Sequence, residues 1–241
     1  MAVRAGRPAR VGLLIPSSNT TMEVDFTRDL PSGTVLHTAR MYLKDTTAAE
    51  EDRMLDEFTL PAARALGTAR PNVVVFGCTS AGALRGDDYD KWLCDRISEL
   101  TQAPVVSTIR SVHNAIRASG AASVGVITPY VDELNDKIRA SLEANGTTVA
   151  IINGLGITEN FQIGELAEEE IVEFAVRTLG GLAASGAIGL AFASCTNFRA
   201  TAAREAISQR LGVPMITSNQ AALEAAVAQL SLASSLGAPA R

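Results

Sequence analysis

Histidine, cysteine and tryptophan are scarce in this chain: its 241 residues hold two histidines, three cysteines and one tryptophan, and aromatics make up 5%. An odd cysteine count at this length does not make a disulfide framework. No CxxC and no Cys/His pair at ligand spacing occurs, so a metal site is not expected. The dinucleotide and phosphate fingerprints GxGxxG and the P-loop are also missing. Basic clusters are absent beyond Arg4, Arg7 and Arg10, and the net charge is −5. Nucleic acid and an anionic membrane surface are therefore not expected as partners. The first apolar run, Val11 to Ile15, stops at Pro16 and is too short for a signal-peptide core or a membrane span. The expected compartment is the cytoplasm. What remains, 47% apolar and 20% charged residues, suits a soluble globular protein with a sizeable core.

The informative feature is an internal repeat. Val11-Gly-Leu-Leu-Ile-Pro16 is echoed by Val124-Gly-Val-Ile-Thr-Pro129. Val73-Val-Val-Phe-Gly-Cys78-Thr79-Ser80 is echoed by Gly189-Leu-Ala-Phe-Ala-Ser-Cys195-Thr196-Asn197. Ala103-Pro-Val-Val-Ser-Thr108 is echoed by Val213-Pro-Met-Ile-Thr-Ser218. Order and spacing are both kept. The short β-branched runs read as buried parallel strands, and the chain divides into two structural repeats, residues 1–115 and 116–241.

Helical patterns lie between these strands: Thr47 to Ala69, Asp87 to Leu100, Val131 to Asn145, Glu165 to Leu179 ending at Gly180-Gly181, and Asn219 to Leu230. Alternating strands and helices predict an α/β fold. Its two halves, related by a pseudo-twofold axis, each carry a parallel sheet flanked by helices, with an active site in the cleft between them.

Ligands of open α/β sheets bind outside the carboxyl ends of the strands. Cys78 and Cys195 fall at that end of equivalent strands, so two thiols can meet a ligand from opposite sides. That geometry suits acid/base or nucleophilic work on a planar carbon. The hydroxyls of Thr79, Ser80 and Thr196, the Asn197 amide and backbone N–H groups beside them can depress a thiol pKa or hold a carboxylate. Cys94 has no counterpart in the repeat and reads as packing. His37 and His113 read as structural histidines, and Arg85, Arg110 and Arg199 as solvated surface rather than carboxylate clamps.

Pro16-Ser17-Ser18-Asn19-Thr20-Thr21-Met22-Glu23, His37-Thr-Ala-Arg40-Met41, Thr128-Pro129-Tyr130 and the paired cysteines resemble the bacterial maleate cis–trans isomerases of the aspartate/glutamate racemase superfamily. Arylmalonate decarboxylases and an ectoine-utilisation group are similar too. The resemblance implies a cofactor-independent isomerase of a small carboxylate that forms a homo-oligomer. In it Cys78 adds to the olefinic carbon, Cys195 is the acid/base, and Ser17, Asn19, Tyr130 and Asn160 contact substrate. The polar Thr79-Ser80 and Thr196-Asn197 also resemble amino-acid racemases, and Cys195-Thr-Asn-Phe-Arg199 the ectoine group. A two-thiol racemase or epimerase and a non-catalytic small-molecule binder stand as alternatives.

Overall fold

The computed structural model describes residues 8–236. The chain forms two four-stranded parallel sheets. The first contains β1 (Ala9–Pro16), β2 (Thr34–Met41), β3 (Val73–Phe76) and β4 (Val105–Ser107) in the order β2-β1-β3-β4. The second contains β5 (Val124–Thr128), β6 (Val149–Gly154), β7 (Leu190–Ala193) and β8 (Met215–Thr217) in the order β6-β5-β7-β8. The repeat seen in the sequence is thus a repeat of sheets, with Leu14 opposite Phe76 in one and Ile127 opposite Ala193 in the other. Strands β3, β5 and β7 are buried along their whole length, as central parallel strands with helices on both faces must be.

Gly12 and Gly125, the second residue of each echoed run, have the same job. A Cβ on Gly12 would stand 3.0 Å from Leu66 Cδ2, and one on Gly125 would stand 2.7 Å from Leu179 Cδ2. Leu66 lies on α3 (Thr59–Gly67) and Leu179 on α9 (Glu168–Ala184), so each glycine lets a covering helix reach its sheet.

Helix α2 (Ala48–Arg53) begins at Thr47, whose hydroxyl accepts from Glu50 N, and runs into α3 through one wide π turn, Met54–Phe58. That turn lies just ahead of Pro61, which lacks an N–H and whose ring would crowd the carbonyl one turn back. The remaining helices are α1 (Met22–Asp29), α4 (Thr79–Leu84), α5 (Asp87–Thr101), α6 (Thr108–Ser119), α7 (Asp132–Ala144), α8 (Asn160–Glu165), α10 (Ala200–Leu211) and α11 (Ser218–Leu236).

Two expectations from the sequence shift. Helix α9 opens at Glu168, because Glu165 belongs to α8. It also passes through Gly180-Gly181 instead of ending there. Leu182 and Ala183 continue its apolar face against the core, which outweighs the glycine cost of about 1 kcal/mol each. Helix α11 crosses to the first half. Its Ala222, Ala226 and Leu230 pack with Val11, Leu13, Val73 and Val75, so the C-terminal helix closes the N-terminal sheet. Among the described residues no helix is long and apolar enough to cross a membrane.

Candidate active site

In each sheet the chain leaves the first strand in one direction and returns on its other side. This places a switch point between β1 and β3 and another between β5 and β7. Asn19 and Cys78 follow the strands of the first switch point; Tyr130 and Cys195 follow those of the second. Cys78 is the N-cap of α4, with an extended backbone (φ −143°, ψ 114°). Cys195 is buried in the loop between β7 and α10 with φ +135°, a region that L-residues rarely occupy.

The surroundings of the two sulfurs differ. Cys78 Sγ takes a hydrogen bond from Ala81 N–H and lies 3.9 Å from Ser80 Oγ. Burial pushes this thiol well above its ordinary pKa; a charge on Glu51 adds to the push and a thiolate at Cys195 adds further. Cys195 Sγ accepts from Asn197 N at 3.3 Å, from Phe198 N and from the Tyr130 hydroxyl. Burial raises it to about 11, and the Tyr130 bond works against the rise. The Tyr130 hydroxyl also meets Ser80, and burial holds its own pKa well above the usual phenol value.

The polar residues singled out in the sequence mostly tie the two halves together. Asn19 Oδ1 accepts from Thr21 N and Met22 N at 3.0 Å, capping the start of α1, while Nδ2 donates to Thr196 Oγ1 at 3.0 Å. Asn197 Oδ1 accepts from Thr20 N at 2.8 Å, and its Nδ2 donates to the Asn160 carbonyl at 2.6 Å. Asn160 Nδ2 donates to Ser18 Oγ at 2.8 Å. Thr196 Oγ1 donates to Gly77 O at 3.1 Å, directly ahead of Cys78. Thr79 Oγ1 donates to Ser218 Oγ at 2.8 Å, and Ser218 Oγ accepts from Cys195 N at 3.2 Å. The loops after β2 and β6 also join, Thr46 N donating to Thr158 O at 2.5 Å. Ser17 serves the first half alone, exchanging hydrogen bonds with the main chain of Leu43.

Other candidates lie elsewhere. His113 is buried against Ser141 Oγ at 3.1 Å, and burial lowers its pKa to about 4. Arg85 pairs with Asp52 and Asp56, Arg110 with buried Asp90, and Arg199 with Glu168. Cys94 is raised to about 12 by burial and touches Arg110. Two residues of the site carried no signal that singled them out. Ser218 ends the third repeated run and so was legible as a position but not as a partner of Cys195. Glu51 sits with Ala48 and Leu55 on the buried face of its helical stretch, where a charged residue is out of place.

Two parallel sheets of matching strand order, each with a cysteine at the carboxyl end of its third strand in chain order, define a duplicated α/β protein. The chain belongs to the arylmalonate decarboxylase family, whose profile matches residues 11–240. It is 27% identical over 221 residues to a maleate isomerase of Geobacillus stearothermophilus, covering 86% of each. It also superposes on a cysteine-to-alanine maleate isomerase from Pseudomonas putida S16 solved with maleate, with TM-score 0.85, 23% identity and 93% of each chain covered. A cysteine-to-serine maleate cis-trans isomerase of Nocardia farcinica, carrying a covalently bound succinylcysteine intermediate, superposes with TM-score 0.84 at 23% identity over 92% of this chain and 93% of that one. At these identities the two superpositions establish the shared fold.

Proposed function

We propose that this protein is a cofactor-independent cis–trans isomerase of a small dicarboxylate, converting maleate to fumarate, with Cys78 as nucleophile and Cys195 as acid/base. The observation that carries the reading is the pair of buried thiols at equivalent strand ends, each met by backbone N–H groups two or three residues further along. Family membership and the isomerase relatives support it. So does the succinylcysteine carried by the Nocardia farcinica isomerase.

The chemistry balances without an oxidant. Cys78 gives up its thiol proton to solvent, a lone pair of the thiolate forms the C–S bond to one olefinic carbon, and the π pair moves through the other carbon into its carboxylate as an enediolate. Cys195 gives that carbon a proton and takes it back. Rotation occurs about the carbon–carbon bond while it is single, and return of the electron pair expels the thiolate. Fixed N–H donors in a dry site are suited to the negative charge that develops. Because burial raises the Cys78 thiol, turnover is expected to climb with pH as that thiol ionises, for as long as Cys195 keeps the proton it gives.

The test is an NMR time course with maleate in deuterated buffer under reducing conditions. Fumarate should appear with the wild type and vanish with Cys78→Ala and Cys195→Ala. A wild type that leaves maleate intact overturns the reading. Deuterium entering a chiral α-carbon of an offered carboxylate would place the chain with two-thiol racemases instead.

A further inference from the structure

Glu51 is fully buried beside the thiols. It projects from α2, which packs on α4, the helix opened by Cys78. Its Oε1 accepts a hydrogen bond from Ser80 Oγ, the hydroxyl that also lies against Cys78 Sγ. Its Oε2 is buried with no hydrogen-bond partner among the described residues. A carboxyl oxygen left unmatched in this way costs stability unless a bound molecule completes it.

The groups that act on Glu51 are Ser80 on α4, Asp52 on its own helix and Glu133 on α7, and none of them is cationic. Arg85 is already taken by Asp52 and Asp56. The charge of an ionised Glu51 bears on Tyr130 and Cys195 across the cleft, and on Cys78 on its own side. An ionised Glu51 would therefore oppose a Cys78 thiolate and repel a dianionic substrate. A neutral carboxyl does neither, and with Oε1 occupied by Ser80 it has an O–H to give from Oε2.

We propose that Glu51 is a substrate-binding residue that works as a neutral carboxylic acid, its Oε2 donating a hydrogen bond to a carboxylate of the molecule Cys78 attacks. This rests on the dicarboxylate reading above. Burial holds the Glu51 carboxyl up to about 8, which keeps the donor proton in place at neutral pH. The hydrogen bond is present below that pH and lost above it, so binding should weaken with alkalinity over a range in which thiol chemistry speeds up.

The experiment titrates succinate, which has no double bond to attack, into wild type, E51Q and E51L from pH 6.5 to 9.5. Wild-type affinity should fall about tenfold or more across that range, the worth of one hydrogen bond to a charged group. E51L should be weaker by a similar factor already at pH 7, with E51Q restoring most of the affinity and showing no pH dependence. An E51L that binds like wild type overturns the proposal, and so does an E51Q as weak as E51L, because the amide can give the same hydrogen bond from its nitrogen. Melting curves without ligand test the protonation state separately. Wild type should fall progressively below E51Q in melting temperature between pH 5 and 8, and a constant gap overturns the neutral acid. Wild type that converts maleate while E51L binds normally sinks Glu51 alone. Wild type that neither converts maleate nor binds succinate sinks the carboxylate donor together with the reading beneath it.

Discussion

The two cysteine corners occupy equivalent places in the repeat yet are built differently. Cys78 sits on an ordinary extended backbone and flows straight into α4. Cys195 sits at φ +135°, and four residues pass before α10 begins. The first thiol shares its hydroxyl neighbour Ser80 with a buried carboxyl; the second receives the Tyr130 hydroxyl. Burial raises both; a charge on Glu51 would add to the rise at Cys78, while the Tyr130, Asn197 and Phe198 donors work against it at Cys195. Duplication therefore supplied the positions and the flanking residues supplied the chemistry: one corner disfavours a resident thiolate, and the other offers it three donors.

The largest effect expected from this asymmetry is in trapping. Cys195→Ser should let maleate add to Cys78 and stall there, giving a protein-bound succinyl adduct visible by intact mass. Cys78→Ser should give none. Adducts in both variants, or in Cys78→Ser alone, would reverse the assignment of roles. A smaller effect is expected on thiol reactivity. At pH 9 Glu51 is beyond its pKa of about 8 and ionised, so its charge holds the Cys78 thiolate back. E51Q should then speed iodoacetamide labelling of Cys78 about tenfold, one pKa unit of relief, with a lesser change at Cys195. Peptide mapping of the labelled cysteines reads both rates, and equal acceleration would erase the difference between the corners.

How much of this was legible follows from what a strand sequence carries. The three echoed runs expose order, spacing and the burial of β1, β3, β5 and β7, so the paired sheets and the place of both cysteines were readable. Parallel strands are nearly all apolar, and such runs declare themselves. Side-chain pairing across the cleft did not declare itself. Asn19, Asn160 and Asn197 looked like ligand contacts, yet in this structure each spends at least one end of its amide joining the halves. Glu51 was hidden because its helix also exposes Glu50, Asp52 and Glu57, and in sequence one buried acid among solvated ones looks the same. The crossing of α11 onto the first sheet depends on tertiary packing alone.

Two finer substitutions separate the corners by donor and by backbone. Tyr130→Phe removes a hydrogen bond that stabilises the Cys195 thiolate, so that thiol should rise further and label about tenfold more slowly at pH 9. Cys78 should respond less. A change of equal size at both would mean that Tyr130 acts through general packing, not through its hydroxyl.

The backbone difference has the smallest effect and is independent of catalysis. A positive φ of 135° is strained for any side chain with a Cβ, at a cost of order 1–3 kcal/mol, and glycine escapes it. Cys195→Gly should therefore be more stable than Cys195→Ala by about 1 kcal/mol in urea unfolding, after allowing for the greater freedom of glycine in the unfolded chain. At Cys78 the same pair should differ little. Its φ of −143° suits either residue, and the entropic cost of glycine there is offset by glycine's advantage over alanine at a helix N-cap. If the two sites gave the same Gly–Ala difference, the backbone at Cys195 would be relaxed, and the corners would differ in side-chain surroundings alone.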